Sequence, residues 1–256
     1  MSLKASKRKL LIDGDIVAFT IAAACEQATK WDDDLWTLHA SAEESVSRCY
    51  NLIEGLKETL FSDHVVVALS DKRNFRKELT KTYKANRVGA RKPITYQTIK
   101  EFMTEKYKTV IYPGLEADDV LGILATTDDG FTKTIVTNDK DLRTIPTNVY
   151  FLSDKSMGLI EEIDEATADY NFYKQVLTGD RADGYPGCPT IGEKTAEKLL
   201  KPFIGDNKAM QEIVIQQFNK QGLGEEEILL QTRLARILRN GEYDLAEAQP
   251  VLWGWS

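Results

Sequence analysis

Residues 178–198 read TGDRADGYPGCPTIGEKTAEK. Two carboxylates three apart, Asp180 and Asp183, precede a Gly/Pro-rich turn that opens a helix carrying Lys194 and Thr195. A tight glycine-rich turn leading into a helix offers backbone N–H groups and a positive dipole end to an anion, most naturally a phosphate. Carboxylates just upstream would repel that phosphate unless a divalent cation stood between them. Metal ligands beside a phosphate cradle point to hydrolysis of a phosphodiester backbone.

Upstream of this stretch, short Val/Ile/Tyr-rich runs at 9–13, 65–70, 109–112, 134–137 and 149–152 read as buried strands. Between the first two, Leu38, Ala42, Val46, Cys49, Ile53, Leu56 and Leu60 share one helical face, predicting a helix over 35–61 with Asp34 as its N-cap. Another helix is expected over 116–127, ended by Asp128-Asp129-Gly130. Strands alternating with helices predict an α/β fold with a doubly wound, mainly parallel sheet. Past residue 165 the strand signal fades. The expected division is an α/β core over 1–165 and a helical subdomain over 166–256.

An apolar content of 42% suits a globular chain of 256 residues. Cys25, Cys49 and Cys188 form no CxxC pair and read as reduced thiols of a cytoplasmic protein. The longest apolar run, 16–25, is half the roughly 20 residues a membrane span needs, so no membrane partner is expected. The net charge of −7 is unevenly spread: residues 72–108 hold twelve Lys/Arg against three Glu, leaving the remainder strongly acidic. This reads as a basic docking strip beside an acidic centre, or as a solvated helix face.

The acids gather where predicted strands end. Asp13 closes the first run, Asp71 follows the second, and Asp139 and Asp141 follow the 134–137 run. Glu116, Asp118 and Asp119 open the helix after the 109–112 run. Open α/β sheets bind ligands beyond the carboxyl ends of their strands, so a parallel sheet would collect these loops at one rim. Two carboxylates about 4 Å apart repel by roughly 4 kcal/mol at an effective dielectric near 20, and several in one cleft call for cations. Carboxylate-only ligation selects Mg²⁺ or Mn²⁺ over zinc. Plainer readings exist for each group: a turn with Asp15 as N-cap, acids complementing a helix dipole at 116–119, and a solvated loop at 139–141.

The segments LLIDGD (10–15), LSDK (69–72), YKANR (83–87), GLEADDVLG (114–122), TNDKDL (137–142) and GDRADGYPGCPTIGEKTA (179–196) together resemble, in order, the motifs of the 5′ nucleases. That superfamily comprises flap endonucleases and 5′→3′ exonucleases, including the 5′ nuclease domains of bacterial DNA polymerases. The YKANR segment, the compact length and the late ARILRNGEY run are most similar to podophage-type 5′→3′ exonucleases, which would act in the host cytoplasm. The resemblance implies a PIN-like 5′ nuclease core with a helix–three-turn–helix. It further implies a two-metal site, with Asp13, Asp71, Glu116, Asp118 and Asp119 around the first ion. Asp139, Asp141, Asp180 and Asp183 would serve the second, the pair clamping the scissile phosphate and leaving 5′-phosphate products. No Ser-His nucleophile pair is apparent.

By the same resemblance, Lys84 and Arg87 are catalytic cations at the base of a helical arch, and Tyr83 stacks on a terminal base, unless it packs in the core. Residues 184–196 look like the helix–three-turn–helix. There Gly187, Gly192, Lys194, Thr195 and Lys198 would hold duplex DNA backbone, and family members commonly keep a potassium ion on loop carbonyls. Arg233, Arg236 and Arg239 form a stripe on an expected C-terminal helix, either extending that contact or facing solvent. Only 21 residues, including Pro93, separate Arg87 from Thr109. A short arch favours cutting from duplex 5′ ends, nicks or short flaps, with RNA in RNA–DNA hybrids added by analogy. The alternatives are a structure-specific flap endonuclease, a catalytically silent DNA-binding scaffold and a PIN-type ribonuclease.

Overall fold

Leu10, Leu11 and Ile12 point alternately to opposite faces of an extended strand, yet all three are buried, so both faces must be covered. In the computed structural model, which describes residues 7–152 and 159–254, that strand is β1 (Arg8–Asp13). It pairs in parallel with β4 (His64–Ala68) on one side and β6 (Thr132–Thr137) on the other. β5 (Lys108–Val110) and β7 (Asn148–Phe151) extend the parallel array, and β8 (Glu161–Glu162) closes it antiparallel in the order β5-β4-β1-β6-β7-β8. Leu10, Ile12, Val67 and Val136 pack under α1 (Gly14–Cys25), α2 (Ala42–Thr59) and α4 (Tyr96–Lys106). Leu11, Val66, Ala68 and Ile135 pack against α5 (Ala117–Thr126). The sheet is doubly wound and mainly parallel, as the alternation of runs predicts.

A separate cluster around Phe172, Leu177, Val214 and Phe218 binds together α6 (Glu165–Thr178), α7 (Glu193–Leu200), α8 (Asn207–Lys220) and α9 (Glu225–Ala235). The chain then returns to the core, where Ile237, Leu238 and Tyr243 join the α5 layer. A division at 165 does not anticipate this return.

The helix expected from Leu35 starts only at Ala42. Residues 27–39 instead form an antiparallel hairpin of β2 (Gln27–Asp32) and β3 (Leu35–His39), with Asp34 in its turn. The apolar spacing of Leu35 and Leu38 mimics a helical face, but the hairpin leaves Trp31, Leu35, Trp36 and Leu38 exposed. The true start is written in Ser41 and Glu44: the Glu44 N–H donates to Ser41 Oγ at 3.2 Å.

The 72–108 segment is only partly an arch. It begins with α3 (Phe75–Leu79) and ends with α4, whose Ile99 and Met103 are fully buried against the sheet. What remains is a 3₁₀ turn, Ala85–Arg87, and an irregular stretch over 88–95 that contains Pro93. Several of its cations pair with acids of the same chain: Arg76 with Asp119, Lys84 with Glu116, Arg87 with Asp183, Arg91 with Glu26 and Lys100 with Asp15. The charge surplus overstates the surface strip, because much of it neutralises acids of the same chain.

Candidate active site

Asp13 ends β1 and caps α1, accepting the Ile16 N–H at 3.1 Å. At the parallel end of neighbouring β6, Thr137 Oγ1 donates to Asp13 Oδ2 at 2.7 Å and accepts the Asp139 N–H at 2.9 Å. Asp139 in turn accepts the Asp141 N–H at 2.8 Å. Asp118, in the first turn of α5, faces Asp139 and Asp13 closely enough for their charges to push its carboxyl up, although burial is the larger cause. Burial raises Asp13 to about 7 despite the Thr137 and Ile16 bonds. Asp141 is also raised to about 7, by burial and then by Asp139 and Asp180. These four acids meet at one rim of the sheet, where crossover loops on either side of β1 deliver them.

Across the pocket, Lys84 Nζ donates to Glu116 Oε1 at 2.6 Å and lies 3.4 Å from Asp183. Burial opposes the charge on both partners of the Lys84–Glu116 pair. Their mutual attraction prevails, raising Lys84 and, with Arg76, depressing Glu116 to about 2. Lys84 takes up a left-handed φ of 50°, held there by its own N–H donating to the Asp183 carbonyl at 2.8 Å. Arg87 Nη2 donates to Asp183 Oδ1 at 2.6 Å. Burial raises the Asp183 carboxyl more than Lys84 and Arg87 lower it.

Lys84 therefore neutralises part of the pocket. Among the described residues, however, Asp13, Asp118, Asp139, Asp141 and Asp180 have no ion-pair partner. Nor do any three His, Cys, Asp or Glu of those residues close into a ready-made coordination sphere. What the rim offers is a set of hard oxygen donors, and burial first, then the charge of neighbouring acids, raises the carboxyls of Asp13, Asp118 and Asp141. That chemistry suits a hard divalent cation.

Four site expectations change in the structure. Asp119 is fully buried and accepts two bonds from Arg76, at 2.7 Å each, and one from the Leu238 N–H at 3.1 Å. It is an internal anchor, not a rim ligand. Asp71 is engaged in its loop: its carboxylate accepts the Gly114 N–H at 2.8 Å, and that bond, with the Lys72 and Arg73 N–H groups, depresses it. Tyr83 is 3% exposed, with Arg76 and Lys84 near its ring and its hydroxyl donating to Glu116 at 2.7 Å, so no face is open to a base. The core alternative holds for it. Gly187 (φ 67°) packs against Gly179 (φ 65°), where a Cβ on either would come within 2.4 Å of the other's backbone. The Gly187 N–H is spent on Gln231 Oε1 at 2.9 Å. This glycine shapes the turn rather than meeting phosphate.

The remaining turn residues do face outward. Gly192 caps α7 with open space around it, and Lys194, Thr195 and Lys198 are exposed on the helix. Lys194 and Lys198 line a shallow depression with Lys201. The arginine stripe is dispersed because α9 stops at Ala235. Arg236 then pairs with Glu242 at 2.5 Å, and Arg239 with Asp169 at 2.8 Å. Sequence reasoning passes over Arg76 and Thr137, and reads Asp15 only as a helix N-cap, a place that Asp13 takes. Asp15 accepts from Tyr96, Lys100 and the Ser70 N–H, bracing the loops beside Asp13. Its adjacency to Asp13 was the available signal, whereas Arg76 carried none within its run of basic residues.

The profile of the family described as 5′-3′ exonuclease, N-terminal resolvase-like domain, matches residues 8–173. The exodeoxyribonuclease of Enterobacteria phage T3 is 31% identical, covering 95% of this chain and 92% of its own. The exonuclease of Escherichia phage T7 is 30% identical with the same coverage. Among solved structures, the T5 5′-exonuclease with bound divalent zinc superposes with a TM-score of 0.62 over 90% of this chain and 89% of its own. At 17% identity that likeness is one of fold.

Proposed function

This chain belongs to the 5′-3′ exonuclease family, and from that premise we propose that it hydrolyses DNA phosphodiesters from duplex 5′ ends or nicks, with two divalent cations held at the rim. The observation that carries the proposal is the meeting of Asp13, Asp118, Asp139 and Asp141 without a paired cation, beside Lys84. Asp13, Glu116 and Asp118 would hold one ion, and Asp139, Asp141, Asp180 and Asp183 the other. Bound there, divalent ions neutralise the scissile phosphate and make water a competent nucleophile near neutral pH. Lys84 would serve as a cation for charge developing on the phosphoryl oxygens, held beside the acids by Glu116 and Asp183. Arg87, half exposed at the pocket mouth, adds a fork for an adjacent phosphate.

Lys194, Thr195 and Lys198, with the open N-terminus of α7, would grip the downstream duplex through its backbone without reading sequence. The short 88–95 stretch offers little to enclose a long flap, which favours the exonuclease reading over the flap-endonuclease one. RNA in RNA–DNA hybrids remains within reach of a site that contacts backbone rather than bases. The test is a 5′-labelled duplex presented intact, nicked and flapped, in Mg²⁺ or EDTA. Mononucleotide or short products from ends and nicks, abolished by EDTA and by Asp118→Asn with DNA binding retained, support the proposal. Cleavage by the Asp118→Asn variant at wild-type rate refutes it.

A further inference from the structure

We propose that Gln175 is a positioning residue for the second group of acids, acting through the Tyr185 hydroxyl; this rests on the reading of those acids as a metal site. Gln175 stands on α6, in the helical subdomain, and its side chain crosses to the α/β core. Its Nε2 donates to Asp141 Oδ2 at 2.9 Å and to the Tyr185 hydroxyl at 2.9 Å. A carboxylate only accepts, so it fixes the amide with nitrogen inward, and both N–H groups find acceptors. Among the described residues, no other side chain donates to the Asp141 carboxylate. The Tyr185 ring is 2% exposed and cannot swing aside. Its main chain pairs with Asp180 in both directions, at 2.9 and 3.0 Å.

One line of bonds, Asp141–Gln175–Tyr185–Asp180, thus joins an acid of the core to an acid of the helical subdomain. A lysine at position 175 would align Asp141 by cancelling its charge, as Lys84 does for Glu116. A neutral amide aligns it and leaves the charge for a cation. Orienting partners of this kind typically change metal affinity or activity by about 10–100-fold when removed.

The experiment titrates the full-length protein with Mn²⁺ in the absence of DNA, following free Mn²⁺ by electron paramagnetic resonance, and melts each variant in EDTA. Gln175→Leu should weaken Mn²⁺ binding by about tenfold or more, while its melting in EDTA stays near wild type. Tyr185→Phe should weaken it less, and the double variant no further than Gln175→Leu alone, because both act through one line of bonds. Unchanged Mn²⁺ affinity in Gln175→Leu, with wild-type binding intact, overturns the positioning role. No Mn²⁺ binding by wild type overturns the metal-site reading, and this inference with it. Should Gln175→Leu fail to fold, Tyr185→Phe decides the matter, since it removes a single oxygen; wild-type affinity in that variant is then the overturning result.

Discussion

Arg76→Met should cost this protein a large part of its stability. The guanidinium is 3% exposed and gives two 2.7 Å bonds to Asp119, which is wholly buried, and a longer one of 3.4 Å to Glu116. It also donates to the carbonyls of Leu234 at 3.1 Å and Arg236 at 2.5 Å. Methionine fills much of the volume but leaves Asp119 charged and without a cation, a change that costs about 3–5 kcal/mol in buried pairs. Against a total of about 5–15 kcal/mol for a typical domain, that is enough to bring the melting transition close to working temperature. Urea unfolding measures it, as a fall in midpoint at constant slope. A companion substitution isolates the cause. Asp119→Asn in the Arg76→Met background keeps an oxygen for the Leu238 N–H and removes the stranded charge, so it should recover about 2 kcal/mol. A loss below about 1 kcal/mol for Arg76→Met, or a second substitution that deepens the loss, would refute the reasoning.

Tyr83→Leu should lower the melting temperature and leave affinity for a 5′-overhang duplex unchanged by fluorescence anisotropy in Ca²⁺. A loss of about tenfold in affinity would instead restore a stacking role. Lys194→Ala and Lys198→Ala should weaken binding to all sequences alike, each reducing the slope of log affinity against log salt by about 1; an unchanged slope would remove these lysines from the interface. Asp129, which burial pushes up but Lys9 and Lys133 pull down further, has its carboxyl depressed to about 2. A depressed carboxyl stabilises the folded state above its unfolded value of about 4, and that contribution is lost as pH falls toward 2. The stability gap between wild type and Asp129→Asn should therefore be full at neutral pH and close between about pH 4 and 2 in acid-titrated urea melts; a gap that widens on acidification contradicts the pairing.

The sheet was legible because strands buried on both faces write short, continuous apolar runs, and because an acid stands at or just beyond several of their ends. The collection of Asp13, Asp118, Asp139 and Asp141 at one rim follows from parallel pairing alone. What did not show was the partner of each acid. Asp118 and Asp119 are adjacent and chemically identical, yet one faces the pocket and the other faces Arg76, 43 residues away in sequence. Tyr83 looked available for stacking because nothing local reveals that the arch base folds over Asp183. The 27–39 hairpin escaped notice because a spacing that can serve a helix can also serve a strand pair, and exposed tryptophans are poor guides to either.

That hairpin also governs how the protein will look in a fluorimeter. Of its four tryptophans, Trp31 and Trp36 stand 68% and 58% exposed, whereas Trp253 packs edge-on against Phe172 and Trp255 lies outside the described residues. Native emission should already contain a red-shifted, acrylamide-quenchable share from the hairpin indoles that changes little on denaturation. Among the described tryptophans, the one whose wavelength shifts during melting will then be Trp253, which follows the helical layer beneath it rather than the sheet that carries the acids.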